Sequence, residues 1–176
     1  MRANFFSGMG QLVMIEIRTT RITDESDIPY IREWFNDPGV LRWFPMLTPF
    51  EIDDSMRYWA YFASINGGLT AVLEDKPVGA ALLNLNSGQK TKHQCLISII
   101  VDASVRGRGI GGQLLVALEE RARSLRLTML HLEVYEGNPA IHLYERAGYK
   151  VYGKQEKFIK EDGKFFGKIL MQKEII

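Results

Sequence analysis

The heptapeptide Arg106-Gly107-Arg108-Gly109-Ile110-Gly111-Gly112 sets two arginines among four glycines. The residues before it, Cys95 to Val101, form an apolar run that reads as a buried strand. The residues after it, from Gln113 to about Arg126, carry apolar side chains at helical spacing. Strand, glycine turn and helix together make an anion site. Glycine removes side chains, so backbone N–H groups converge on one concavity, and the helix adds the positive end of its dipole. Two guanidinium groups in the same turn favour phosphate. On physical grounds alone, this stretch binds a phosphate-bearing ligand.

Two patterns extend that reading. Arg106, Gly109 and Gly111 fit an Arg or Gln, a Gly and a Gly or Ala at fixed offsets. Downstream, Asn138, Ala140, Ile141, Leu143, Tyr144, Gly148 and Tyr149 fit a second pattern. Together they resemble the Gcn5-related N-acetyltransferase (GNAT) superfamily. The resemblance covers roughly residues 69–172 and is only general over 15–65. It implies the acyl-CoA N-acyltransferase fold: α/β, with a mixed, mostly antiparallel central sheet of about seven strands and four flanking helices. It also implies acetyl-CoA as co-substrate, with no metal. The implied contacts to acetyl-CoA are Arg106, Gly107, Arg108, Gly109, Ile110, Gly111 and Gly112 at the diphosphate, and Asn138 nearby. Ile99, Ile100 and Val101 are implied to offer backbone groups to the pantetheine arm, because in the family this strand splays from its neighbour.

The implied chemistry is direct acyl transfer from a thioester to a primary amine. The amine must be neutral, the developing oxyanion needs donors, and the departing thiolate needs a proton. The resemblance puts the family's general acid at Tyr144; a phenol with a reference pKa of about 10 holds its proton at neutral pH. From the residue alone, Tyr144 reads as core packing between Leu143 and the sheet. Glu133, on the strand after the glycine-turn helix, is the candidate base. Its alternative reading is a strand-end carboxylate that faces solvent or pairs with a lysine. His93 and His131 are rival bases, left out because a lone histidine is more often structural. Cys95 invites an acyl-enzyme reading, but an isolated cysteine in a buried strand is commonly core. Two departures from the family are visible: Asn138 stands one residue closer to the tyrosine than in many relatives, and Ala103 replaces the usual proline.

Gly107, Gly109 and Gly112 also satisfy the three-glycine dinucleotide fingerprint, with Glu133 near the expected acidic position. In that fold the first glycine follows the strand directly, whereas Asp102 to Arg106 intervene here. Too few residues follow Gly112 for a doubly wound sheet, and the Asn138–Tyr149 segment stays unexplained. A different competitor is a non-catalytic acyl-CoA sensor or interaction module on the same fold.

These residues need a scaffold. Residues 15–22 begin with strand alternation, and Thr23 or Asp24 is placed to cap a helix running to about Phe35, ended by Asn36-Asp37-Pro38-Gly39. Thr48-Pro49-Phe50-Glu51 carries three helix-start signals, and that helix runs to about Ile65. Residues 69–74 and 78–85 form a hairpin, 93–101 and 128–135 form strands, about 139–146 a short helix, and 149–158 with 164–172 a last hairpin. The alternation predicts a mixed α/β sheet.

Composition narrows the function classes. The chain has 176 residues and a formal net charge of +1, so no bulk attraction to nucleic acid or membrane is expected. One cysteine excludes an intrachain disulfide and a cysteine-cluster metal site. Residues 1–14 read as a loose tail, with Met14 as an alternative start, ahead of a single N-acetyltransferase domain at 15–176. They lack signal-peptide features, so a cytoplasmic location is expected. The expected acceptor is a small amine or a peptide N-terminus. The resemblance implies that the two N-terminal helices and their loop, with Trp43 and Phe44, form one wall of its site, and the last hairpin, with the Phe165-to-Met171 strand, another. An exposed edge strand or the last hairpin can pair with a second copy as a homodimer.

Overall fold

A computed structural model of the chain describes residues 2–6, 12–19 and 25–176. One sheet carries eight strands: β1 Arg2–Phe6, β2 Leu12–Thr19, β3 Gly68–Leu73, β4 Lys76–Leu85, β5 Gln94–Val101, β6 Met129–Tyr135, β7 Lys150–Glu161 and β8 Lys164–Glu174. Their order is β1-β2-β3-β4-β5-β6-β8-β7. Every pair is antiparallel except β5 with β6. A parallel pair needs a crossover, and the helix α4, Ile110–Ser124, supplies it. The other helices are α1 Ile28–Phe35, α2 Pro38–Leu41, α3 Pro49–Ser64 and α5 Ile141–Arg146.

Two helical layers bury the sheet. On one face Leu114, Leu115 and Leu118 of α4 pack against Ala81, Leu83 and Leu130. On the other, Ile31, Trp34 and Phe35 of α1 and Met56 and Trp59 of α3 pack against Ala80, Leu82 and Ile100. Covered on both sides, β4 is buried from Pro77 to Asn84, which is why it reads as a continuous run rather than an alternating one. Asp27 and Thr70, both buried, meet through a 3.0 Å hydrogen bond that ties the start of α1 to β3. The start of α3 follows its sequence signals: Thr48 accepts from the Glu51 amide at 3.3 Å, Glu51 accepts from the Thr48 amide at 2.8 Å, and Pro49 occupies the first turn.

Among the described residues the sheet has eight strands, against about seven expected, and residues 2–6 form the additional one. The outer edge of β2 offers unpaired backbone groups that a short segment can saturate. Asn36-Asp37-Pro38-Gly39 ends α1 after Phe35, as expected, and also opens a further helical turn. Asp37 accepts from the Gly39 amide at 2.7 Å and starts α2 with Pro38 in its first turn. α4 begins at Ile110, not Gln113. The predicted caps at Thr23 and Asp24 lie outside the described residues. Among the described residues no helix is long and apolar enough to cross a membrane.

Candidate active site

The glycine turn is built by backbone conformation. After β5, Asp102 accepts from the Ser104 amide at 2.9 Å and opens a single 3-10 turn at Ala103–Val105. Gly107 and Gly109 then adopt φ of +77° and +82°, and α4 starts at the next residue. A Cβ at either glycine would meet nothing within 4 Å. Glycine stands there for its left-handed backbone and not for lack of room. The opening amides of α4 have no carbonyl one turn earlier to bond; the first such bond is Gln113 N–H to Gly109 O at 3.1 Å. Gly111 serves a different purpose. A Cβ at Gly111 would lie 3.3 Å from the Leu143 side chain, so this glycine lets α5 pack close to α4, whereas at Gly112 the approach of 3.7 Å is ordinary contact.

Beside the turn, the sheet comes apart. β5 and β6 pair only over Gln94–Leu96 and Met129–His131. Beyond those rungs β5 stays bonded to β4 up to Val101, and β6 stays bonded to β8 up to Tyr135. The facing edges of Ile97–Val101 and Leu132–Tyr135 diverge and leave a wedge lined by peptide groups. The wedge opens into a cavity of about 840 Å³.

That cavity collects most of the expected site. Ile99, Ile100 and Val101 line it from β5; Arg106, Gly107, Gly109, Ile110 and Gly111 line it from the turn and α4; Glu133, Asn138 and Tyr144 complete the set. Arg108 and Gly112 do not line it, because Arg108 projects outward as an exposed side chain and Gly112 is turned to Leu143. His93, His131 and Cys95 are also absent from its walls. Cys95 is fully buried against the α4 layer, and burial pushes its thiol up to about 12. Burial pushes the His131 imidazole below its usual value.

Tyr144, on α5, is 9% exposed, and its ring meets Tyr149 edge-on at 6.0 Å between centroids. Burial pushes its phenol up to about 12. Glu133 has both of the environments weighed from the sequence: its carboxylate lines the cavity and also accepts from Lys168 Nζ at 2.8 Å. Lys168 is itself buried, with its ammonium 3.7 Å from the centroid of the Phe158 ring. Asn138 uses its Oδ1 locally, accepting from the Ala140 amide at 2.9 Å as the chain turns into α5.

The cavity wall away from the turn is largely apolar. Trp43, Phe44, Pro45 and Met46 of the α2–α3 loop, with Tyr58 and Trp59 of α3, form one wall, and Tyr135 and Phe158 form part of another. Phe35 is core, fully buried and edge-on to Phe44 at 4.7 Å. Phe165, half exposed at the hairpin, is not at the cavity. Four polar residues escaped the sequence reading. Ser55, Asn84 and Ser98 line the cavity, and Lys168 stands behind Glu133. Asn84 carries a usable signal, because it is the one amide in an otherwise apolar buried run.

The glycine turn, the divergent edges of β5 and β6, Tyr144 and Glu133 thus all open onto one cavity. The chain belongs to the acetyltransferase (GNAT) family, which it matches over residues 28–149. An L-methionine sulfoximine/L-methionine sulfone acetyltransferase from Pseudomonas aeruginosa is 36% identical over 76 residues, which is 43% of this chain and 44% of that protein. The chain thus matches less than half the length of that curated relative. A GNAT-family acetyltransferase from Streptococcus pneumoniae superposes with a TM-score of 0.73 at 25% identity, covering 92% of this chain and 99% of that one. A Salmonella typhimurium acetyltransferase solved with acetyl-CoA shares the fold, with a TM-score of 0.75 at 20% identity over 92% and 94% of the two chains.

Proposed function

We propose that the protein transfers the acetyl group of acetyl-CoA directly to the primary amine of a small molecule, inside a ternary complex. The observation that carries this reading is the shared cavity: glycine turn, wedge, Tyr144 and Glu133 all open onto one space. Bound acetyl-CoA supplies a thioester carbonyl open to attack by an amine. The amides at Gly109–Gly111 and the Arg106 guanidinium hold its diphosphate. The free edge of Ile99–Val101 takes the amide-bearing arm as a further strand would. Glu133 accepts the amine proton, directly or through a water, as the new C–N bond forms. Tyr144 donates its proton to the sulfur as the C–S bond breaks.

A small acceptor suits the space better than a long peptide. The same cavity of about 840 Å³ must hold the arm as well as the amine. The aromatic wall fits an apolar body next to the reacting nitrogen. The α-amine of a free amino acid is mostly protonated near physiological pH, so the reaction needs the base supplied by Glu133. The relative's amino-acid-like acceptors agree with that choice. The buried unpaired thiol and the use of acetyl-CoA fit a cytoplasmic setting.

The test is free-thiol release from acetyl-CoA across a panel of α-amines, ε-amines and short peptides. Release with small α-amines is the expected result. Saturating acetyl-CoA that raises the melting temperature while no amine is consumed would leave an acyl-CoA-binding module instead of an enzyme.

A further inference from the structure

Asn84 is the one residue of buried β4 that its surroundings do not satisfy. Its side chain is 7% exposed, and neither Oδ1 nor Nδ2 has a hydrogen-bond partner among the described residues. A buried amide without partners is costly, and folded proteins rarely keep one idle. Asn84 lies on the wall of the cavity.

Register fixes where on the wall. Asn84 stands opposite Leu96 of β5. Leu96 is also the last β5 residue paired to β6, opposite His131. Asn84 is therefore level with the closed end of the wedge, and the glycine turn follows the other end of β5. A thioester arm anchored at the turn points toward Asn84. Residues directly opposite on paired strands share a face. Asn84 thus lies on the face of Leu82, Ser98 and Ile100, the one covered by α1 and α3, and Glu133 joins it two residues past His131. This is the acceptor side.

We infer that Asn84 selects the acceptor, pairing its carboxamide with a neutral polar head that offers a donor and an acceptor together, such as a primary carboxamide. The inference rests on the acetyltransferase reading above. The matching is a count of hydrogen-bonding atoms. A carboxylate head only accepts and leaves Oδ1 unpaired. An ammonium head only donates and leaves Nδ2 unpaired. An alkyl head leaves both.

The test uses matched α-amines with acetyl-CoA: L-asparagine and L-glutamine, then L-aspartate and L-glutamate, then L-norvaline, with L-2,4-diaminobutyrate as the cationic member. The wild type is expected to show kcat/KM at least about tenfold higher for a carboxamide than for its carboxylate or alkyl counterpart. Asn84→Leu should abolish that ratio while acetyl-CoA affinity stays unchanged. Asn84→Asp, which can only accept, should move the preference toward the cationic acceptor. A change of preference is something a merely structural role does not produce. A ratio near one in the wild type, or a ratio that survives Asn84→Leu, overturns the inference and leaves the acetyltransferase reading standing. Binding of acetyl-CoA with no turnover of any amine overturns both.

Discussion

Lys168 reaches along the α1/α3 face of the sheet to place its ammonium 2.8 Å from Glu133 Oε2. Lys168 pairs with Tyr135 in the β6–β8 ladder, two residues from Glu133 on the same face. The lysine side chain is 9% exposed and the glutamate 43%, so the cation depends on its partner more than the carboxylate does.

That asymmetry separates two roles for Glu133. If Glu133 takes the amine proton, Glu133→Gln lowers kcat by about 10²-fold or more, with acetyl-CoA affinity held within about threefold. Lys168→Met keeps the carboxylate and should cost much less turnover. Steady-state kinetics of the two variants decide the matter; equal losses would make Glu133 only the lysine's counter-ion. Glu133→Gln should also cost about 1–2 kcal/mol of stability, since half of the pair is open to solvent.

Tyr144→Phe removes the proton proposed for the leaving thiolate and nothing from the packing volume. We expect kcat to fall by about 10²–10⁴-fold, with unchanged acetyl-CoA affinity by calorimetry. With its phenol pushed up to about 12, Tyr144 stays protonated across the ordinary assay range. No alkaline loss of kcat should trace to Tyr144 below about pH 11. An alkaline limb near pH 9 that vanishes in Tyr144→Phe would refute the assignment.

Buried phenols and a buried thiol also set a stability limit. Tyr144 and Tyr135 rise from 10.0 to about 12, and Cys95 from 9.0 to about 12, in each case chiefly through burial. Above the lower values the unfolded chain loses protons that the folded chain keeps. Their contribution is complete below about pH 9 and is lost as pH climbs to about 12. Melting temperature should drop over that window, and the drop should be shallower in Cys95→Ala than in the wild type.

Gly109 and Gly163 offer a matched pair. Their φ values are +82° and +75°, and a Cβ at either meets nothing within 4 Å. Alanine at each should cost about 1–2 kcal/mol for the left-handed backbone. Gly109→Asp should in addition weaken acetyl-CoA binding by at least about tenfold, by repelling the diphosphate from the helix terminus. Gly163→Asp, at the tip of the β7–β8 hairpin, should leave affinity alone. Equal effects on binding would remove the turn from the site.

What the sequence disclosed followed the range of the interactions. The glycine turn and the α5 segment are local patterns that carry the family resemblance, and Arg106, Gly109 and Tyr144 from them line the cavity. The start of α4 was misread because glycine is a poor helix former; Gly111 sits inside the helix next to Leu143, a contact from another element. β1 has no core pattern of its own and exists by adding to an edge. Lys168 is 35 residues from Glu133, and Asn84 meets the site only through the β4–β5 register. Such placements come from pairing and not from spacing.

The seam between β5 and β6 bears on motion as well as on binding. Three rungs at Gln94–Leu96 join the two leaves of the sheet directly, while α4 bridges them from one side. A guest that bonds along the open edges stitches the leaves into one slab. The loaded protein should then be the stiffer form, with slower amide hydrogen exchange along Ile97–Val101, and letting go of the spent thiol means unpicking that seam at every turnover.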